Sequence, residues 1–156
     1  MSFQYQQFKD VNLSDPFFDS LKSDYPKFEQ WFASKGEAQA YVSYNEANII
    51  DGFLYLKVED EELNDMTPSF PLKKRVKCGT FKIDGHGTKL GDRFVRKIFD
   101  FSLAFNIDEI YVTIFDKHEG LIRLLTKYGF ILTARKNEKT PSGQEGVYFK
   151  DFIWRD

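Results

Sequence analysis

The sequence predicts a mixed α/β domain organised around one strand–helix–strand crossover. Three observations carry that expectation. Arg75 to Phe105 reads as a strand, a glycine-bearing loop and a long helix in immediate succession. Asp108 to Phe115 (DEIYVTIF) follows as a nearly continuous β-branched and aromatic run, the composition of a strand buried on both faces in a parallel pair. Ala38 to Tyr44 and Ile49 to Val58 flank the turn residues Asn45-Glu46-Ala47-Asn48 and read as an antiparallel hairpin. A crossover between parallel strands is expected to be right-handed.

Taken in order, Phe3 to Leu13 alternates loosely and opens the chain as a strand. Ser14-Asp15-Pro16 is a helix start, with a capping residue and a proline in the first turn. Phe17, Phe18 and Leu21 give that short helix an apolar side. Pro26 closes it and starts a second helix bearing Phe28, Trp31 and Phe32, which Gly36 stops. Gly52, inside the second hairpin strand, marks a bulge or a close backbone approach. Glu59 to Asp65 (EDEELND) and the two prolines between Thr67 and Pro71 are expected to form a long irregular connection. The basic cluster Lys73-Lys74-Arg75-Val76-Lys77 leads into the central strand. In the helix after it, Leu90, Phe94, Ile98, Phe101 and Phe105 recur at helical spacing as one apolar stripe. Leu121, Ile122, Leu124, Leu125 and Tyr128 mark a further amphipathic helix capped by Gly129, and Phe130 to Arg135 and Gly146 to Ile153 are the last two strands.

A chain of 156 residues is one ordinary domain, 1–156, able to bury a core without metals or disulfides. Its formal charge of −2 argues against a nucleic-acid-coating protein, and its 17% aromatic content favours a packed core. Cys78 is the only cysteine, which fits a reducing compartment; within a strand it reads as an inert buried thiol rather than a nucleophile. With two histidines and one cysteine there is no metal-ligand constellation, and no metal is expected. The first ten residues do not read as a signal peptide, and no apolar run is long enough to span a membrane, so a soluble cytoplasmic protein is expected.

The loop Asp84-Gly85-His86-Gly87-Thr88-Lys89 feeds a helix N-terminus, where unpaired N–H groups and the positive end of the helix dipole favour phosphate. A phosphate-bearing cofactor around residues 86–92 is one reading; a plain strand-to-helix turn is the other. At this point the chain resembles the GNAT superfamily of N-acetyltransferases over essentially its whole length. The element order is similar. More specific is Thr126-Lys127-Tyr128-Gly129-Phe130, which looks like that family's helix-then-GF signature. The family's pyrophosphate loop, Arg/Gln-x-x-Gly-x-Gly/Ala, matches the frame His86 to Gly91. There His86 replaces the basic or amide residue, Lys89 replaces the first glycine, Gly91 is kept, and the loop before His86 is about two residues short. Lys89-Leu90-Gly91 resembles a bacterial and phage-associated branch.

The resemblance implies a GNAT-like mixed, mostly antiparallel central sheet with a parallel strand–helix–strand crossover and flanking helices. It implies acetyl-CoA as co-substrate and direct acetyl transfer to an amine-bearing small molecule or protein acceptor, with a homodimer through the final strands left open. The backbone of His86, Gly87, Thr88, Lys89, Leu90, Gly91 and Asp92 would hold the pyrophosphate, and the main chain of Phe81, Lys82 and Ile83 would run beside the pantetheine arm. A bulky side chain at Gly91 would then block the cofactor and spare the fold. His118 takes the place of a cofactor-contacting asparagine, where it would contact the pantetheine arm or shuttle protons, its other reading being a surface helix-start residue. Relatives often place an acid tyrosine four residues before the GF glycine; here that residue is Leu125. Tyr128 is the candidate substitute, or a core aromatic. Glu59, Asp60 and Glu61 are candidate bases acting through water, or a solvated run. With no clear acid or base, a non-catalytic acyl-CoA-binding or interaction module on the same fold is the alternative function.

Overall fold

A computed structural model describes residues 2–84 and 88–152. Its strands are β1 (Ser2–Gln7), β2 (Gln39–Tyr44), β3 (Ile50–Leu63), β4 (Met66–Thr67), β5 (Phe70–Ile83), β6 (Glu109–Ile114), β7 (Ile131–Lys136) and β8 (Gly146–Asp151). Its helices are α1 (Asp19–Asp24), α2 (Phe28–Lys35), α3 (Thr88–Ala104) and α4 (Glu119–Lys127). The sheet order is β1-β2-β3-β5-β6-β8-β7-β4. β5 and β6 pair in parallel, and β1–β2, β2–β3, β4–β7, β6–β8 and β7–β8 pair antiparallel. This is the expected mixed, mostly antiparallel sheet, with α3 as the crossover between the parallel strands.

The chain divides into two compact units, with β3 and β5 each contributing to both. The first comprises residues 1–55 and 80–87 and is an aromatic core. Phe8 sits edge-on to Phe53 (5.6 Å between ring centres) and Tyr55 (5.1 Å), and Phe18 edge-on to Phe53 (5.4 Å). This packing explains why the first strand stops at Gln7 rather than running to Leu13. Phe8 turns inward in a one-turn 3₁₀ segment, where its N–H donates to Ala38 O at 2.8 Å and that of Lys9 to Gly36 O at 3.0 Å. Asp15 caps as expected, accepting from Phe17 N at 2.9 Å, but the segment it caps, Pro16–Phe18, is 3₁₀ and runs on into α1. Ser43 pairs with Gly52 and Tyr44 with Ile50, so the bulge anticipated at Gly52 falls on its neighbour Asp51.

The second unit comprises residues 56–79 and 88–156. Here the expected irregular connection is replaced by strand. β3 runs through the acidic stretch to Leu63, and β5 begins at Phe70. The reason is charge complementarity. Glu59 meets Lys57 at 2.8 Å and Lys77 at 3.9 Å, Arg75 donates to the Glu61 carbonyl, and Leu63 is buried with Met66 and Tyr111. The basic cluster is likewise spent internally, Lys73 on Asp108 (3.3 Å) and Arg75 on Glu109 (2.5 Å). β6 is buried on both faces, as its composition indicates. In α3 the buried stripe is Leu90, Phe94, Val95 and Ile98, completed by Ser102; Phe101 is half-buried and Phe105, past the helix end, is exposed. Gly129 (φ 94°) closes α4 with a Schellman arrangement: Phe130 N–H bonds Leu125 O at 3.1 Å and Gly129 N–H bonds Thr126 O at 3.0 Å.

Candidate functional site

Pairing of β5 with β6 is described for Val76↔Ile110, Lys77↔Tyr111 and Cys78↔Val112. β5 then continues to Ile83 within the first unit. There Phe81 is buried and Ile83 half-buried. The Lys82 ammonium bonds Ser20 Oγ at 2.7 Å and lies 4.5 Å from the centre of the Phe17 ring. That side chain is held by α1 and its approach, so Lys82 offers a ligand its main chain. His86 and Gly87 lie outside the described residues.

In the second unit α3 begins at Thr88, so Thr88, Lys89, Leu90 and Gly91 supply the amides that a helix leaves without intrahelical partners. Lys89 is exposed and Leu90 buried. Gly91 has a role beyond the one expected of it. A Cβ placed there would lie 2.9 Å from Leu124 Cδ2, so the missing side chain lets α3 and α4 approach. A bulky substitution therefore cannot leave the fold untouched. Gly91→Ala should be near neutral in thermal denaturation, since Leu124 can shift and alanine gains about 1 kcal/mol of helix propensity. Gly91→Trp, which must separate the helices, should cost roughly 2 kcal/mol or more. Equal melting temperatures for the two variants would refute this packing role.

Asp92 was anticipated only for its backbone, yet its carboxylate is the polar centre of this corner. Tyr128 Oη donates to Asp92 Oδ1 at 2.6 Å and Lys127 Nζ lies 3.5 Å away. The bond from Tyr128, with the Lys127 charge, holds the Asp92 carboxyl below the ordinary aspartate value; the same bond holds the phenol above its own. Tyr128 also meets Phe99 edge-on at 6.1 Å. Its proton is thus directed at α3. Leu125, at the expected tyrosine position, is fully buried. His118 stands half-buried at the N-cap of α4, its side chain making no capping bond.

A second cluster lies on the sheet. Glu59 is buried, accepts from the Tyr111 hydroxyl on one oxygen and meets Lys57 on the other. Burial alone would raise the Glu59 carboxyl, but the bonds from Lys57 and Tyr111 and the charge of Lys77 outweigh it and hold it below its ordinary value. Burial pushes Lys77 down, against the attraction of Glu59, and pushes the Tyr111 phenol up, reinforced by its bond to Glu59. Lys77, Tyr111, Thr113, Lys136 and the Glu61 to Met66 segment wall a cleft of about 260 Å³. In the sequence Lys77 is only the last member of the basic cluster, and its partners on β3 are not evident. The available signal was period two: Tyr55, Lys57, Glu59, Glu61 and Leu63 alternate onto one face once the acidic run is read as strand. Burial raises the Cys78 thiol, as fits an inert residue. Among the described residues no cluster could hold a metal and no helix is long and apolar enough to cross a membrane.

No family model and no curated protein matches the sequence. Solved structures do match over nearly the whole chain. An IAA acetyltransferase from Bacillus cereus has a TM-score of 0.66 at 11% identity, covering 97% of this chain and 99% of its own. Arabidopsis thaliana Naa50, in complex with the bisubstrate analogue CoA-Ac-MVNAL, has a TM-score of 0.59 at 19% identity, covering 97% and 100%. A GNAT family acetyltransferase from Elizabethkingia anophelis with acetyl-CoA bound has a TM-score of 0.64 at 11% identity, covering 97% of each chain. At these identities the likeness is one of architecture: the chain has the fold of the GNAT acetyltransferases.

Proposed function

We propose that this protein is an N-acetyltransferase that moves an acetyl group from acetyl-CoA to a primary amine by direct attack. The observation that carries the reading is the crossover itself. Parallel pairing is described as far as Cys78↔Val112, and α3 starts at Thr88 with its free amides, in a fold shared with an acetyltransferase that holds acetyl-CoA. In this reading the amides of Thr88 to Asp92, together with His86 and Gly87, take the pyrophosphate, and the main chain of Phe81 to Ile83 lines the pantetheine arm. His118 stands at the start of α4 as a second contact to the arm. The acceptor is an amine on a small molecule or a peptide; the peptide-like analogue bound by Naa50 supports the latter. The setting is the cytoplasm, which the lone buried thiol supports.

The buried Leu125 favours a second reading, an acyl-CoA-binding module without turnover. Two measurements separate them. Calorimetric titration with acetyl-CoA should show saturable binding, and its absence at millimolar ligand would remove both readings. Thiol release across a panel of amines and peptides should exceed background hydrolysis; tight binding with background release alone would leave the binding module.

A further inference from the structure

We propose that Lys77 is the proton shuttle of the transfer, working from the wall of the cleft formed by the Glu61 to Met66 segment, Tyr111, Thr113 and Lys136. The inference rests on the acetyltransferase reading. Acetyl transfer has two proton requirements: the attacking nitrogen must lose one and the departing sulfur must gain one. The other groups considered for these roles are poorly suited to either. Leu125 carries no exchangeable proton. The Tyr128 hydroxyl is bound to Asp92. The two Glu59 oxygens are engaged by Tyr111 and Lys57, and the Tyr111 proton is given to Glu59. Lys136 is paired with Asp65.

Lys77 differs from all of these. Its ammonium is 3.9 Å from Glu59, beyond hydrogen-bond length, and 5.9 Å from the centre of the Tyr111 ring. Its side chain is 28% exposed and lines the cleft. It stands one residue before Cys78, the last described β5 partner of β6, and the proposal puts the thioester carbonyl at this level. The groups around it are Lys57, Glu59, Glu61 and Glu62 of β3, Asp65 ahead of β4, Tyr111 of β6 and Lys136 of β7. Burial lowers its proton affinity and Glu59 keeps part of it, a combination suited to a lysine that gives and regains a proton.

The step balances. The free amine of the acceptor attacks the thioester carbonyl carbon and forms the C–N bond. As the tetrahedral adduct collapses the C–S bond breaks, and the Lys77 ammonium protonates the sulfur to give the free thiol. The neutral Lys77 amine then takes the proton that the new amide nitrogen must lose. Amide and thiol leave, and Lys77 is again charged.

The test uses the full chain with acetyl-CoA, and n-butylamine or a peptide with a free N-terminus as acceptor. Lys77→Arg keeps the charge beside Glu59 but cannot release a proton near neutrality. It should bind acetyl-CoA within about twofold of wild type and lose roughly a hundredfold in kcat. The ionisation assigned to Lys77 should vanish from the kcat–pH profile. A Lys77→Arg enzyme with wild-type kcat and pH profile overturns the shuttle and leaves the acetyltransferase reading standing. Wild-type protein that binds acetyl-CoA but transfers to neither probe overturns both. Independently of turnover, the ¹³Cε resonance of Lys77 in lysine-labelled protein should titrate below an ordinary lysine and shift its midpoint when acetyl-CoA saturates the protein. A midpoint indifferent to acetyl-CoA also overturns the proposal.

Discussion

Arg75→Ala should destabilise the protein by about 3–5 kcal/mol in urea denaturation at neutral pH. The Arg75 side chain is 3% exposed, and its Nε bonds Glu109 Oε2 at 2.5 Å. Its other nitrogens reach the carbonyls of Glu61 at 3.3 Å and Pro71 at 3.0 Å. One guanidinium therefore ties β3, the start of β5 and the start of β6, at the foot of the parallel pair. Removing it leaves a half-buried carboxylate with Lys73, at 3.8 Å, as its one ion-pair partner among the described residues, and two carbonyls without this donor. The large effect comes from what is left unpaired, not from the worth of the bridge. The double replacement of Arg75 and Glu109 by alanine should thus recover part of the loss, a coupling that a double-mutant cycle reads directly. Arg75→Lys should fall between, keeping the charge and losing the fork. A loss below about 1 kcal/mol for Arg75→Ala would show that the Arg75 contacts carry no such weight.

The Arg75 contacts also show where the sequence was legible. The crossover, the hairpin and the GF turn could be read because local signals agreed with the tertiary structure. β-branched residues filled a strand buried on both faces, helical spacing marked α3, and a glycine stood where φ is 94°. The acidic and basic runs misled for the opposite reason. Each is solvent-seeking by composition, and only pairing across strands makes Glu59 and Arg75 buried residues. Burial of a charge depends on a partner distant in sequence, which no local window contains. The candidate site divides in the same way. The amides at the start of α3 follow from a loop-to-helix pattern, whereas the bond from Tyr128 to Asp92 spans 36 residues and Gly91 owes its place to Leu124 on another helix.

Charge at the start of α3 should move cofactor affinity and fold stability in opposite directions. Lys89 is exposed in the first turn, where the helix dipole and the unpaired amides make the environment positive. Lys89→Glu places an acid where helices favour one, and should raise stability by about 0.3–1 kcal/mol. The same change removes a cation and adds an anion beside the proposed pyrophosphate. Acetyl-CoA affinity should fall roughly tenfold, about 1.4 kcal/mol. Asp92→Asn deletes the carboxylate held by Tyr128 and should tighten binding a few-fold. Tyr128→Phe removes the hydroxyl that occupies that carboxylate and should weaken it by about as much. Packing damage would lower stability and affinity together, so the opposed signs expected of Lys89→Glu and Asp92→Asn identify an anion site and not a general loosening of the helix end. Calorimetric titration and thermal denaturation of the three variants supply both readouts. Affinities that follow melting temperatures, or that ignore the sign of the charge change, would take the phosphates away from α3.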